Sequence, residues 1–502
     1  MSFLQKLWKG NSSANKEDLV PTLQDDQYNP YTELLVLQHH TDIVRQVYII
    51  DRRRCLSIGD DNVAVVWDLL LGIKLAILTG HNRPITCVLR ISSKGNNSLD
   101  LLVTGSSDKQ IKVWDYEQAI CVQTVTEHNS SVKKHREFNG VWHKVFLVEG
   151  KSSLLKYKCL LLLDDGSFLS GGEKLHLWSP DGRLLDSYDR EQEEADISFM
   201  ILVRNKRIVT ASNKEILVFQ IISKQSDDHS GDIKEEISLF KELPKYKETI
   251  RSLVHISETL FAVGCLDGCI YILSSETYQI TLKFMSPDKY KGDNSSYPYS
   301  IQDILCVDER YLVATIGCGF AIFDIKQRQI LCKPHYSHYS KILHLAFVCN
   351  GSLLATSSED GSIRLWGQIP DIENNDTCYK GVMERFYSKS SEEIEEDIRN
   401  ECIAEPVLIG ECLAHSGAVS MAVDGRDDVM VSCGVDGLVI CWKNAELQKI
   451  KRNQILQKQV LSGIKNWFIV YLPYGIKYPA TFWRFHRDYQ FQLHTFSYFN
   501  QQ

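Results

Sequence analysis

The stretch Gly80–Asp115, GHNRPITCVLRISSKGNNSLDLLVTGSSDKQIKVWD, opens on Gly-His, closes on Trp-Asp and sets two strand-like runs about a tight polar turn. Its polar residues suit one hydrogen-bond chain: the Trp114 indole N–H, the Thr104 hydroxyl, the His81 imidazole and the Asp108 carboxylate can satisfy one another. Each such bond nets only about 0.5–1.5 kcal/mol, whereas a buried indole or carboxylate left without its partner costs more. The four residues stand or fall together.

The offsets make this reading testable along the chain, because Thr104 lies four residues before Asp108, Asp108 six before Trp114, and His81 four before Ile85. They recur. One unit supplies His39, Ser57, Asp61 and Trp67, another His338, Thr356, Asp360 and Trp366, and a third His415, Ser432, Asp436 and Trp442. Four sets at fixed spacing predict an all-β fold, a WD-repeat β-propeller in which each repeat is one four-stranded blade.

Intervening units keep strand alternation and lose the polar set: Asp196 to Ile221 has Phe219 where Trp belongs, Tyr246 to Ser275 has Leu273, and Ser300 to Ile325 has Phe323. Packing rather than hydrogen bonds is expected to hold these blades. Residues 28–444, less two interruptions, divide into eight units of about 44 residues, against about 51 for seven. Eight blades are expected. The run YNPYTELLVL, Tyr28 to Leu37, precedes the first histidine, so it should close the ring by pairing with strands between Leu413 and Trp442.

Five segments stand apart from the repeats. Residues 1–27 form a polar leader whose Phe3, Leu4, Leu7 and Trp8 could share one face of a short helix. Residues 133–156 interrupt the third blade, as either a surface loop or an error of the gene model. Residues 369–406 are an insertion in blade 7; from Asp371 to Glu405 it carries eleven acidic and four basic residues, with Tyr379, Met383, Phe386 and Tyr387 at its centre. That composition reads as a disordered tether with a recognition cluster. Residues 445–466 form an amphipathic helix with Leu447, Ile450, Leu456, Val460 and Ile464 near one face, lying along the propeller or docking elsewhere. In residues 467–502 thirteen of 36 side chains are aromatic, which marks either a docking segment or a misread final exon.

With a net charge of -8 nucleic acid is not an expected partner, a local basic patch being left open. The 15 cysteines include no Cys-x-x-Cys pair, and Cys265 and Cys269 read as ordinary strand residues flanking a turn, so reduced thiols in the cytosol are expected. No run of 18 apolar residues occurs, and any membrane contact is expected to be indirect. Gly317-Cys318-Gly319 lacks the third glycine of a dinucleotide site, and no phosphate loop, zinc motif or nucleophile elbow is found. The reading is a non-enzyme that needs no cofactor or metal.

From Tyr28 to Asn444 the chain resembles the WD repeat-containing protein 41 family. The residues that carry the likeness are NPYTELLVL at 29–37, HHTDIV at 39–44, GDDNVAVVWD at 59–68, SSEDGSIRLW at 357–366 and VDGLVICWKN at 435–444. The resemblance implies a non-catalytic adaptor in a complex with two DENN-module proteins that acts on small GTPases and in autophagy. It further implies recruitment from the cytoplasm to lysosomes through a PQ-loop cationic amino-acid transporter. By the same resemblance Glu33, Leu35 and Leu37, with Leu447, Ile450 and Leu456, would meet the DENN partner, and Tyr379, Met383, Phe386 and Tyr387 the transporter. The insertion departs from the family loop, which is rich in Phe, Trp and Gly. The alternative is a substrate receptor of a cullin ubiquitin ligase; its usual Trp-Asp-x-Arg is replaced here by WDLL and WDYE.

Overall fold

A computed structural model of the chain describes residues 29–91, 100–126, 159–172, 174–189, 196–225, 233–284, 300–332, 336–368, 381–417, 419–423 and 429–444. The leader 1–27, the interruption 133–156, the helix 445–466 and the tail 467–502 lie outside the described residues. Within them the chain builds eight four-stranded antiparallel sheets, the number expected.

Seven sheets use consecutive strands. Blade 1, for example, runs from inside to outside as strands a to d, Val44–Ile49, Arg54–Gly59, Ala64–Asp68 and Ile73–Leu78. Blade 8 takes strands a to c from Val419–Val423, Val429–Gly434 and Val439–Lys443, and its outermost strand from Glu33–Leu37. Glu33 stands opposite Lys443 and Leu37 opposite Val439, so a backbone ladder joins the two ends of the propeller. Without it blade 8 would lose its outermost strand and leave Val439–Lys443 as an open sheet edge.

Inner strands are buried on both faces because a neighbouring blade lies against each. Strand c of blade 2, Ile111–Asp115, is buried throughout, whereas strand d, Ile120–Val125, alternates exposed and half-buried residues. Eight apolar clusters fill the spaces, one between each pair of successive blades. The one that closes the ring sets Leu37, Val431, Cys433 and Cys441 of blade 8 against Val47, Val65 and Trp67 of blade 1. Each such side chain contributes about 1.5–3 kcal/mol on burial, so cohesion is distributed around the circle.

The repeat persists in backbone geometry where its chemistry has gone. The register between strands c and d slips by one residue just before the tryptophan position, at Val66/Trp67, Val113/Trp114, Leu177/Trp178 and Leu365/Trp366. The same slip occurs at Val218/Phe219, Ile272/Leu273 and Ile322/Phe323. These bulges increase the local twist of the outer strand; blade 8, whose outer strand is Glu33–Leu37, pairs without one.

The insertion of blade 7 differs from the expected disordered tether. Its described part, from Gly381 onward, folds as two helices, α1 (Val382–Tyr387) and α2 (Ser391–Arg399), packed on the ring. The cause is an apolar face that the charge count concealed: Met383, Phe386, Tyr387, Ile394 and Ile398 are all buried among residues of blades 6 and 7.

Candidate functional site: the tetrad arc and its margins

In blade 2 His81 Nδ1 lies 2.8 Å from Asp108 Oδ2, and its Nε2 2.8 Å from Thr104 Oγ1, which also accepts the Trp114 indole N–H at 2.7 Å. Blade 7 repeats this with His338 to Asp360 at 3.2 Å, His338 to Thr356 at 2.7 Å, and Trp366 donating to Thr356 at 2.9 Å. In blade 8 His415 meets Asp436 at 3.0 Å and Ser432 at 2.8 Å, and Trp442 donates to Ser432 at 2.8 Å.

Blade 1 corrects the sequence reading. The tetrad histidine is His40, 2.8 Å from Asp61 and 2.7 Å from Ser57, which accepts from Trp67 at 2.7 Å. His39 instead accepts from Lys74 Nζ at 3.2 Å. Strand a begins at Val44, and the residue four places earlier is His40, just as His81 precedes Ile85. The offset was present in the sequence, and the doubled histidine obscured it.

Each carboxylate holds a second bond that fixes the loop entering its blade. Asp61, Asp108, Asp360 and Asp436 accept the backbone N–H of Thr41, Asn82, Tyr339 and Ser416 at 3.2, 3.0, 3.0 and 3.2 Å. Burial lowers the pKa of His40, His81 and His338 below the usual imidazole value, despite the adjacent carboxylates. A neutral ring fits the chain, since Nε2 must accept the hydroxyl proton while Nδ1–H donates to aspartate. Burial would raise Asp108 and Asp436, yet hydrogen bonds hold both below the ordinary carboxyl range, from Asn82 and His81 in one case and from His415 in the other.

A hydroxyl, an imidazole and a carboxylate in line have the geometry of a hydrolytic triad, but here they cannot act as one. The hydroxyl of each set is fully buried, and its oxygen already accepts the indole N–H. No substrate carbonyl could approach. Burial pushes the thiols of Cys265, Cys332 and Cys412 up to about 12 and that of Cys441 to about 11, which keeps these four protonated near neutral pH. No group of three or more potential metal ligands comes together among the described residues.

Two polar supports escaped the sequence reading. In blade 3 the Trp178 indole donates to Ser170 at 2.7 Å, a surviving half-tetrad whose spacing is eight residues instead of ten because the intervening turn is shorter. In blade 6 Thr315 accepts the N–H groups of Gln302 and Asp303 at 2.9 Å each, and buried Asp303 accepts Leu345 N–H of blade 7 at 3.0 Å.

The insertion is fastened to blade 6. Asp308 accepts Val382 N–H at 3.1 Å and Met383 N–H at 2.9 Å, while Glu395 of α2 accepts from Arg310 at 2.7 Å and Lys326 at 2.8 Å. Ser390 caps α2 by accepting Glu393 N–H at 3.3 Å, and Glu393 returns the bond to Ser390 N–H at 2.7 Å. Met383, Phe386 and Tyr387, expected to face a transporter, are therefore core residues, 1%, 0% and 4% exposed. Tyr379 lies outside the described residues.

The closing strand also reverses an expectation. Leu37 is 1% exposed and Leu35 packs beside the blade 8–1 core, whereas Leu34 and Val36 are 56% and 39% exposed. Alternation places the free apolar pair one residue away from the pair first assigned to a partner. Glu33 occupies the register position opposite Lys443, and Leu447, Ile450 and Leu456 lie outside the described residues.

Comparison with known proteins agrees with this architecture. A β-propeller family model described as WDR41 matches residues 7–151 and 143–452. WD repeat-containing protein 41 of Homo sapiens is 28% identical over 475 residues, covering 90% of this chain and 95% of its own, and that of Mus musculus gives the same figures. Mitochondrial division protein 1 of Neosartorya fischeri is 30% identical over 116 residues, 23% of this chain and 16% of its own. Among solved structures, the computationally designed Ika8 protein superposes with a TM-score of 0.54 at 17% identity, over 82% of this chain and 98% of that one, a likeness of fold.

Proposed function

Because the chain belongs to the WDR41 family of β-propellers, we propose that it is the non-catalytic adaptor of a complex with two DENN-module proteins. That complex acts on small GTPases and in autophagy, and the chain brings it from the cytoplasm to lysosomes through a PQ-loop cationic amino-acid transporter. The observation that carries the reading is the closing strand. It presents Leu34 and Val36 outward from the arc in which four contiguous blades, 7, 8, 1 and 2, hold complete tetrads. A rigid sheet with exposed apolar side chains on its outermost strand suits a partner that adds to or covers that strand. The buried tetrads and raised thiols support a scaffold over an enzyme.

The test is co-purification of the DENN-module proteins with the tagged full chain carrying Leu34→Asp and Val36→Asp. Loss of the partners with an unchanged melting temperature is expected. Full recovery would remove the closing strand from the interface. For recruitment, the deletion should span residues 369–380 only, because removing 381–405 would also remove core side chains.

A further inference from the structure

The turn between strands c and d of blade 1 is unlike the same turn elsewhere. In blades 1, 2 and 6 an aspartate ending strand c accepts two successive backbone N–H groups: Asp68 from Leu70 and Leu71 at 2.9 Å each, Asp115 from Glu117 and Gln118 at 3.1 Å each, and Asp324 from Lys326 at 2.8 Å and Gln327 at 3.1 Å. The backbone is thus matched and the side chains are not. Where blades 2 and 6 display Glu-Gln and Lys-Gln, blade 1 displays two leucines, 68% and 57% exposed.

This tip is built rigidly. Leu69 beneath it is buried and donates its N–H to Arg53 O at 2.6 Å, Gly72 N–H donates to Asp68 O at 2.8 Å, and Arg53 Nε donates to the buried Asp68 carboxylate at 2.6 Å. Gly72 has φ +68°, and a Cβ there would lie 2.6 Å from Leu35. The adjoining turn carries Arg52 and Arg53, both exposed, and Lys74 is exposed on the strand that leaves the tip. The carboxylates nearby are engaged: Asp68 with Arg53, and Asp51 and Glu117 with Arg54. Arg52, Arg53, Arg54 and Lys74 stand against Asp51, Asp68 and Glu117, so this corner carries an excess of one positive charge, with Arg52 outside those ion pairs, on a chain of net charge -8.

We propose that the Leu70–Leu71 tip of blade 1, flanked by Arg52 and Arg53, inserts into the interface of an anionic lipid bilayer. The two leucines stand exposed at a turn, followed by the exposed Ile73 and Leu75, and the neighbouring Arg52 and Arg53 lie where lipid headgroups would meet them. The apolar side chains and the neighbouring cations together give modest but measurable partitioning, so the contact adds to any anchor supplied by a membrane partner. It goes beyond the adaptor reading, which calls for no direct lipid contact.

The test is flotation of the full chain with vesicles of phosphatidylcholine alone and of phosphatidylcholine with phosphatidylserine. Flotation with the anionic vesicles only, suppressed by high salt, is expected. Leu70→Gln with Leu71→Gln, which imitates the neighbouring blades, should lower the bound fraction roughly tenfold or more, and Arg52→Gln about fivefold. These are surface positions, and an unchanged melting temperature confirms the fold. No flotation with anionic vesicles, or a double variant that floats like the parent, overturns the proposal. DENN-protein co-purification is read without vesicles and through Leu34 and Val36, so its failure is distinguishable from this one.

Discussion

Replacing Phe386 by Ala tests whether the acidic insertion belongs to the propeller or hangs from it. The side chain is 0% exposed and meets Phe347 at 5.4 Å between ring centroids and 89° between planes, and Tyr387 at 5.1 Å and 76°. It lies in the cluster that also holds Tyr311 and Phe320 of blade 6 and Leu354 and Trp366 of blade 7. Truncating a buried Phe to Ala costs about 3–5 kcal/mol, and each edge-to-face pair contributes about 0.5–1.5 kcal/mol beyond its area. The loss should therefore fall toward the upper part of that range. A side chain on a solvated tether would change stability by no more than about 0.5 kcal/mol. Urea unfolding followed by tryptophan fluorescence reads the difference, and amide hydrogen exchange across 381–399 reads the opening of α1 and α2 directly. A loss under about 1 kcal/mol with unchanged exchange in those helices would refute the packing argument.

Two further predictions concern the tetrads. His40→Ala should destabilise by about 2–4 kcal/mol, because it leaves the buried Ser57 and Asp61 each short of a partner, whereas His39→Ala should shift the melting temperature little; equal effects would return the tetrad to His39. Since His40, His81 and His338 have native pKa values lowered from 6.5, the unfolded chain binds more protons as pH falls below that value. Stability is then fully present above about pH 7 and is lost as pH falls through 6.5 toward the native values, by up to about 1.4 kcal/mol per pH unit for each histidine. Near pH 4 and below, Asp108 and Asp436, lowered from 3.8, add to the loss. Thermal melts from pH 8 to pH 5 should show the decline, and a flat or rising curve would contradict it.

What the sequence revealed, and what it hid, divides by the range of the interaction. The tetrads, His40 apart, were legible because they obey fixed local offsets and because an unpaired buried polar group is costly; the ring closure was legible because one strand precedes the first repeat and the last repeat lacks its outer strand. The half-tetrad at Ser170 and Trp178 would have been legible with a shorter turn allowed. The helices α1 and α2 also left a local trace, in the Ser390 to Glu393 capping box and the i,i+4 pair Ile394 and Ile398. Their receiving surface, Asp308, Arg310 and Lys326 of blade 6, lies more than sixty residues earlier and no local pattern points to it. The choice between Leu34 with Val36 and Leu35 with Leu37 was hidden for the same reason: alternation separates the two pairs, but only the register with Val439–Lys443 decides which is inside.

These long-range pieces fall where the propeller changes character. Blades 7, 8, 1 and 2 each hold a complete hydrogen-bonded tetrad, whereas blades 3 to 6 show none among the described residues and, besides the supports at Ser170 and Thr315, lean on apolar packing such as the Phe284–Phe323 contact at 4.8 Å. At one junction, between blades 6 and 7, α1 and α2 add buried side chains to both, and Asp303 crosses from one to the other. At the opposite junction, between blades 2 and 3, Gln123 Nε2 donates to Gly182 O at 2.9 Å. A ring fails at its weakest interface, so the junctions between a polar-braced half and an apolar half are where added contacts gain most. The insertion is then a brace for the degenerate blades as well as an ornament of blade 7. On that argument, undocking α1 and α2 should raise hydrogen exchange in blade 6 before it does so in blade 8.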